Sequence, residues 1–339
     1  MNAEWASYRL GFKFLARTSR QAMTHKDTYL IRIPRPGGRG YGYGEAALFR
    51  GLAVADDRPD YEERLSAACR GEKPSYSSII FGLESAMIDA GYSEVPSTPF
   101  LRGEAGIPIN GLIWMGAREE MRRRIDAKLD AGFRVLKLKI GGIDFESEVE
   151  LLRYIRSRYT PRVLELRLDA NGSMSPDNAI EKLNRLAEFS VHSIEQPIRA
   201  GQTEAMAALC HTSPIAVALD EELIGTPDAD SAARLLDTIR PQYIILKPAL
   251  CGGLSGADLW ADLAEERSIG WWATSALESN IGLKAISAWT ARRGVSMPQG
   301  LGTGQLYTNN IPSGLVLRGD RLYLNPDADF TLPDLPWNS

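Results

Sequence analysis

Four polar residues recur at nearly equal intervals in the second half of the chain, and together they could form one reactive site. Asp169, Glu195, Asp220 and Lys247 are separated by 26, 25 and 27 residues. Each follows a short apolar run, in the segments RVLELRLDAN, VHSIEQP, IAVALDEE and YIILKP. One strand followed by one helix fits this interval, so the four residues are expected at the ends of consecutive parallel strands.

The three carboxylates in this series predict a site for a hard metal ion. Carboxylates that converge from neighbouring strand ends repel one another unless a cation lies between them. Oxygen ligands with open coordination positions suit Mg²⁺, with Mn²⁺ as an alternative. We therefore interpret Asp169, Glu195 and Asp220 as ligands of a divalent metal ion. The alternative is that each carboxylate caps the helix that follows its strand.

Two lysines in the segment RVLKLKIGG are expected to face the same site. In a strand over this segment, Lys137 and Lys139 project from one face. Inside a barrel that face lies opposite the carboxylates, and Lys247 approaches from the sixth strand. A lysine that is partly removed from water beside a metal ion has a lowered pKa and can act as a base. The alternative for Lys137 and Lys139 is a salt bridge with inward-facing Glu165, while Arg167 on the same face would orient carboxylates.

The segment TSALESNIG predicts a place for a remote carboxylate of the substrate. Ser275 and Ser279 stand where a strand gives way to a helix. The start of a helix binds anions through free N–H groups and nearby hydroxyls. Simple capping of the helix by Ser279 is the alternative reading of that residue.

The elements that must position these residues divide the chain into three parts. Residues 1–105 contain short strands, a turn at RPGGRGYGYG and two helical segments, which predicts an α+β capping domain. Residues 106–310 alternate strand and helix, which predicts an α/β fold: a TIM-type (β/α)₈ barrel, or its (β/α)₇β variant. Residues 311–339 are expected to return to the capping domain. The C-terminal mouth of such a barrel is where the polar strand ends meet.

Composition excludes several classes of protein. The net charge of −4 over 339 residues argues against a broad nucleic-acid interface, and no apolar run reaches the ~20 residues of a membrane helix. Three scattered cysteines and three histidines show no metal-ligand spacing. The start MNAEWASYRL has no basic region followed by an apolar core, so we expect a cytoplasmic protein without a secretory signal. The oligomeric state is not predicted.

The ordered motifs KLK, DAN, IEQP, LDEE and ILKP resemble the muconate-cycloisomerase-like branch of the enolase superfamily, over about residues 107–305. More narrowly, INGLIWMG, KLKIGGIDFE, TSALESNIG and PQGLGTGQLYTNN are similar to the o-succinylbenzoate synthases. Members of that family dehydrate 2-succinyl-6-hydroxy-2,4-cyclohexadiene-1-carboxylate to 2-succinylbenzoate in menaquinone biosynthesis. The resemblance implies a Mg²⁺-dependent lyase that acts on a small carboxylate.

The same resemblance implies a role for each residue of the site. Asp169, Glu195 and Asp220 would hold Mg²⁺, and Lys139 would take the α-proton and then protonate the departing hydroxyl on the same face. Lys247 would stabilise the enediolate from the other face by its charge. The residues expected to contact the substrate are Lys137, Asn171, Ser275 and Ser279, together with Arg20 in the cap loop ARTSRQAMTHK, beside Thr18 and Ser19. An exposed polar turn is the alternative for that loop.

Competing functions remain on the same scaffold. An N-succinylamino acid racemase, or another racemase or cycloisomerase, would use Lys139 and Lys247 on opposite faces of one carbon. A dipeptide epimerase is expected to carry a DxD pattern near the eighth strand, where this chain reads MPQGLGTG. Acid-sugar dehydratases usually use a histidine base, and no histidine falls at a matching strand end. A non-catalytic barrel is disfavoured because all five ligand and lysine positions are filled.

Overall fold

The computed structural model describes residues 2–17, 22–93, 95–226 and 228–339, and it begins with an antiparallel sheet and two helices. The sheet, in the order β1-β2-β3, contains β1 (Glu4–Arg17), β2 (Ala22–Pro34) and β3 (Tyr41–Ala46). The helices are α1 (Tyr61–Cys69) and α2 (Ser77–Ala90). The glycine-rich segment RPGGRGYGYG forms the β2–β3 turn and the start of β3, as predicted.

Glycine in β3 is required by close packing against α2. A Cβ atom on Gly44 would lie 2.0 Å from the carbonyl oxygen of Gly82 in α2, and one on Gly42 would lie 2.1 Å from the backbone nitrogen of Ala90. These distances are shorter than any van der Waals contact, so larger residues would push the helix off the sheet. Gly42 and Gly44 therefore allow the close packing of β3 against α2.

Strands and helices alternate from residue 107 onward. In chain order, the elements are β4 (Ile107–Pro108), β5 (Gly111–Ile113), α3 (Arg118–Asp130), β6 (Val135–Lys139), α4 (Phe145–Arg156), β7 (Glu165–Asp169), α5 (Pro176–Ala187), β8 (Ser193–Glu195), α6 (Thr203–Thr212), β9 (Ala216–Leu219), α7 (Ala229–Ile239), β10 (Tyr243–Leu246), α8 (Gly253–Glu266), β11 (Gly270–Ala273) and α9 (Asn280–Arg293). Strands β5 to β11 form one sheet in sequence order, and every neighbouring pair in it is parallel.

Residues Gln299 and Gly300 close this sheet into a barrel. Gly300 donates its N–H to the carbonyl of Ala273 at 2.8 Å, and Gln299 donates to the carbonyl of Pro108 at 2.8 Å. The eighth strand is therefore reduced to isolated bridges with Thr274 and with Ile109. The eighth strand is followed by a 3₁₀ turn over Gly302–Gln305, whereas each earlier barrel strand is followed by an α-helix. Among the described residues the barrel therefore takes the (β/α)₇β form.

The segment IPINGLIW, at the start of the predicted barrel, contains two short strands, β4 and β5. Only β5 belongs to the barrel sheet, whereas β4 pairs with a C-terminal hairpin. That hairpin consists of β12 (Leu315–Arg318) and β13 (Arg321–Leu324), and β13 runs antiparallel to β4. Residues 109 and 110 separate the two short strands because their backbone N–H groups bond to Asp320 and Gln299.

The N-terminal sheet is attached to the barrel by the buried carboxylate of Glu45. Its oxygens accept hydrogen bonds from the Ser279 N–H at 2.9 and 3.0 Å and from the Gly282 N–H at 3.1 Å. Thr28 on β2 adds a bond of 2.8 Å from its hydroxyl. An acidic group at the start of α9 also complements the helix dipole. The start of α9 is therefore held against the N-terminal sheet.

The chain end reaches the N-terminal sheet through two backbone hydrogen bonds. Trp5 donates to the carbonyl of Asn338 at 2.8 Å, and Asn338 donates back at 2.7 Å. The domain boundaries predicted after residues 105 and 310 stay a prediction. None of the described helices has the length and apolar character needed to cross a bilayer.

Candidate active site

A cavity lies at the C-terminal ends of the barrel strands, where the sequence places the polar residues. Its empty volume is about 850 Å³, counting the part open to solvent. The polar residues of its wall include Lys137, Lys139, Asp169, Asn171, Glu221, Lys247, Ser275 and Thr303. Apolar side chains of the wall include Trp114, directly after the first barrel strand β5, and Phe49 and Leu52 of the N-terminal region.

Strand register brings the three carboxylates to one level of the barrel. Asp169 ends β7 and lies directly beside Glu195, which ends β8. Asp220 follows the last residue of β9, the next strand in the sheet. Each of these three residues is at most 2% exposed, so water does little to screen their mutual repulsion.

Three lysines compensate this buried negative charge. Lys137 Nζ lies 2.5 Å from Glu195 Oε2 and 3.1 Å from Asp169 Oδ2. Lys139 Nζ lies 2.8 Å from Asp169 Oδ2, and Lys247 forms an ion pair with Asp220. Glu165, the alternative partner of the strand lysines, instead bonds to Arg167 at 2.7 Å. Both lysines of β6 therefore project toward the carboxylates.

The pKa values of the carboxylates reflect unequal compensation by the lysines. Burial, followed by the charge of Asp169, raises the pKa of Glu195 to about 8. Burial also opposes ionisation of Asp169, but the ammonium groups of Lys137 and Lys139 hold its pKa below the usual value. Glu195 Oε1 is buried and has no hydrogen-bond partner among the described residues. The lysines therefore stabilise the ionised form of Glu195 less than that of Asp169.

These oxygen donors fit a hard divalent cation. Asp169 and Glu195 lie side by side, and the bare Oε1 of Glu195 is the kind of ligand atom that such an ion needs. In the described part of the chain, no three acidic, histidine or cysteine side chains are already arranged as a metal site. Lysine ammonium groups lie among the carboxylates, and they would have to give up these contacts to a metal ion.

Asn171 holds the side chain of Lys139 at the cavity wall. Its Oδ1 accepts a hydrogen bond of 2.7 Å from Lys139 Nζ, and its backbone N–H donates to Asp169 Oδ1 at 3.1 Å. The backbone of Asn171 has φ of 44°, a left-handed conformation that asparagine tolerates better than most residues. Lys139 Nζ also lies 5.5 Å from the centre of the Trp114 ring.

The two predicted serines occupy different environments. Ser275 lies in the cavity wall, and its hydroxyl is 2.6 Å from that of Thr303. Ser279 caps α9: its Oγ accepts from the N–H of Ile281 at 3.1 Å, and its hydroxyl donates to Glu45. The substrate contacts of both serines stay predictions. Arg20, with Thr18 and Ser19, lies outside the described residues.

Several residues of the cavity wall were not predicted from the sequence. Trp114 directly follows the first barrel strand, β5, and Glu221 directly follows Asp220, so their position in the repeat was a signal for both. Thr303 follows the eighth strand, Gln299 and Gly300, and lies in the cavity wall. Phe49 and Leu52 lie between β3 and α1 in a stretch without motif or periodicity, and only the packing of the two regions brings them to the site.

Comparison with known proteins gives consistent matches. The family model described as enolase C-terminal domain-like matches residues 120–301, more than half of the chain. An o-succinylbenzoate synthase of Desulfotalea psychrophila is 46% identical over 93% of this chain and 98% of its own length.

Solved structures agree with the sequence matches. The crystal structure of MenC from Desulfotalea psychrophila superposes with a TM-score of 0.82 at 43% identity, covering 96% of this chain and all of that one. A dipeptide epimerase from Cytophaga hutchinsonii, crystallised with Mg and D-Ala-L-Val, has a TM-score of 0.82 at 21% identity. That alignment covers 98% of this chain and 96% of the epimerase, and it demonstrates a common fold only.

Replacing Lys137 is expected to destabilise the protein most at high pH. In the Lys137→Ala variant, Glu195 is left without an ammonium partner at bonding distance in the described part of the chain, so its pKa rises further above about 8. The unfolded chain releases this proton near its ordinary pKa, so stability continues to fall as pH rises above 8. We expect a loss of about 3 kcal/mol at pH 9 and a smaller one at pH 6.

Urea denaturation in EDTA at both pH values measures these losses. Lys73→Ala, which removes an exposed lysine, is the matched control. Equal losses at pH 6 and pH 9 in Lys137→Ala would contradict the proposed pairing with Glu195.

Proposed function

Because the chain belongs to the enolase superfamily, among the o-succinylbenzoate synthases, we propose that it converts 2-succinyl-6-hydroxy-2,4-cyclohexadiene-1-carboxylate to 2-succinylbenzoate in menaquinone biosynthesis. The reaction removes a proton and a hydroxyl from the ring, releases water and leaves the ring aromatic. The observation that carries this proposal is the similarity to the Desulfotalea psychrophila synthase, which extends over nearly the whole of both chains.

We propose Asp169, Glu195 and Asp220 as the ligands of Mg²⁺, with Mn²⁺ as an alternative. Support comes from their burial at one level of the barrel and from the unpartnered Oε1 of Glu195. When bound, a divalent ion supplies positive charge that stabilises the negative charge developing on a substrate carboxylate. The lysines now paired with these carboxylates become available for other contacts when the carboxylates serve as ligands.

Lys139 is proposed as the base that removes the α-proton and then protonates the departing hydroxyl on the same face. Its Nζ lies in the cavity wall, held by Asp169 and Asn171. A proton-transfer group needs both access to the substrate and a fixed direction, and this position offers both. Lys137, deeper in the strand, is more enclosed and bonds to two carboxylates.

Lys247 is proposed to stabilise the enediolate by its charge from the opposite side of the cavity. It follows β10, whereas Lys139 ends β6, so the two lysines approach from different parts of the barrel. Burial opposes protonation of Lys247, but the carboxylates of Asp220 and Glu221 raise its pKa above the usual value. A lysine that stays protonated suits a cationic role and can also contact a ring that becomes aromatic.

The remaining roles belong to the same proposal. Lys137, Asn171 and Ser275 lie in the cavity wall and are proposed to contact the substrate, together with Ser279 and Arg20. The apolar side chains of Trp114, Phe49 and Leu52 would enclose a six-membered ring. A capping domain over residues 1–105 and a cytoplasmic location stay part of the proposal.

Racemisation of N-succinylamino acids is the second candidate activity. Both Lys139 and Lys247 lie in the cavity wall, and a racemase requires two such groups on opposite faces of one carbon. This arrangement fits either reaction, so the substrate assay decides between them.

The first experiment is a direct assay of the purified protein with the cyclohexadiene carboxylate, following the aromatic product. We expect turnover in Mg²⁺ and loss of turnover in excess EDTA, restored by added Mg²⁺. Absence of product with Mg²⁺ present would contradict the synthase function. A parallel assay with N-succinylamino acids, read by loss of optical rotation, detects the alternative.

The Lys139→Ala variant is expected to lose at least about 10³-fold in kcat, since general acid–base catalysis contributes 10²–10⁴-fold and this lysine acts twice. Thermal unfolding should remain close to that of the wild type. Lys73→Ala, an exposed lysine, is the control for loss of charge. Activity within tenfold of the wild type in Lys139→Ala would refute its assignment as the base.

The Asp220→Asn variant is expected to bind Mg²⁺ at least about tenfold more weakly, equivalent to ~1.4 kcal/mol, because a charged ligand becomes neutral. Isothermal titration calorimetry with Mg²⁺ measures this effect without any substrate. Asp230→Asn, at an exposed position in α7, is the matched control. Equal affinities in the two variants would show that Asp220 is not a ligand.

A further inference from the structure

Glu221 is a buried carboxylate in the cavity wall that takes no direct part in the proposed reaction beyond supporting the positive charge of Lys247. It begins the short 3₁₀ turn Glu221–Leu223 directly after the proposed ligand Asp220. Only 7% of its surface is exposed, and that part faces the cavity. A carboxylate in such a place loses most of its hydration, so it needs a compensating interaction.

The hydrogen bonds of Glu221 lead through Asn171 to the proposed base. Glu221 Oε1 accepts a hydrogen bond of 3.3 Å from Asn171 Nδ2, and Asn171 Oδ1 accepts the bond of 2.7 Å from Lys139 Nζ. A carboxylate only accepts and an ammonium only donates, so the amide of Asn171 satisfies both partners in one orientation alone. The carboxylate of Glu221 thereby favours the amide orientation in which Asn171 Oδ1 faces Lys139.

A purely structural role does not account for this carboxylate. Glu221 Oε2 is buried without a hydrogen-bond partner among the described residues. An unsatisfied buried oxygen costs stability, and an apolar side chain of similar volume would avoid that cost. An unsatisfied polar atom in the wall of a reactive cavity is explained more readily by function than by packing.

Lys139 also needs a partner that is not a proposed metal ligand. Its second contact, Asp169, is a proposed metal ligand and is shared with Lys137. Asn171 is therefore the contact that can hold the flexible side chain of Lys139 toward the cavity while Asp169 binds the metal ion. Because small misplacements of a reacting group cost large factors in rate, the direction of this amide matters for catalysis.

We propose that Glu221 is a positioning residue: it fixes the amide of Asn171, which in turn directs the amine of Lys139 at the substrate. The proposal rests on the proposed function because Lys139 is taken as the base. Glu221 itself exchanges no proton in this scheme. Its action is transmitted through two hydrogen bonds.

Two substitutions separate this role from a structural one. Glu221→Gln keeps a carbonyl acceptor for Asn171, and we expect its kcat within about threefold of the wild type. Glu221→Ala removes the acceptor, and we expect kcat to fall about 10- to 100-fold with KM within about threefold. Equal kcat values in Glu221→Ala and the wild type would overturn the proposal, as would an equally large loss in both variants.

A double variant tests whether the effect passes through Asn171. If it does, Glu221→Ala combined with Asn171→Ala is no slower than Asn171→Ala alone, since the relay is already broken. If the loss of kcat in the double variant equals the product of the losses in the two single variants, the proposal is overturned. Glu221→Met, which matches the volume better, replaces Glu221→Ala if that variant folds poorly.

Crystal structures of the two Glu221 variants make the inference independent of the activity. We expect the Lys139 Nζ–Asn171 Oδ1 bond to persist in Glu221→Gln and to be lost in Glu221→Ala. An intact bond in Glu221→Ala would overturn the proposal even in a fully active enzyme. If the wild-type protein does not convert the cyclohexadiene carboxylate, the proposed function fails, while these structures still decide whether Glu221 positions Lys139.

Discussion

The site depends on the balance between buried carboxylates and lysine ammonium groups at the barrel mouth. Asp169, Glu195 and Asp220 are nearly inaccessible to water, so their ionisation requires positive charge at bonding distance. Lys137 and Lys247 supply part of that charge in the structure. Each carboxylate is held by a neighbouring lysine, and each lysine by a carboxylate. A divalent ion that bound here would replace the lysine ammonium groups as partners of the carboxylates.

The parallel sheet makes this balance possible because it places successive strand ends at one level. Asp169 pairs in register with Lys139 on one side and with Glu195 on the other. The alternation of side chains along β6 directs Lys137 and Lys139 to the same interior face. Arg167 and Glu165, which precede Asp169 on β7 by two and four residues, bond to each other, so the lysines of β6 are left to pair with the carboxylates at the strand ends.

The N-terminal sheet completes the cavity that the barrel begins. Glu45 binds the start of α9, and this attachment lies a few residues from Ser275 in the cavity wall. Phe49 and Leu52, which follow Glu45 closely in the chain, form part of the opposing apolar surface. The short segment 45–52 thus both attaches the N-terminal sheet to α9 and supplies apolar side chains to the cavity wall.

The sequence by itself determined the fold class and the identity of the strand-end residues, since a repeat of about 26 residues and the alternation in β6 are local patterns. It also determined that Lys139, Asp169 and Lys247 face one site. Only the tertiary structure decided which lysine pairs with which carboxylate, that the eighth strand shrinks to Gln299 and Gly300, and that Phe49 reaches the cavity. Those features depend on contacts between residues far apart in the chain, for which no local period or motif exists.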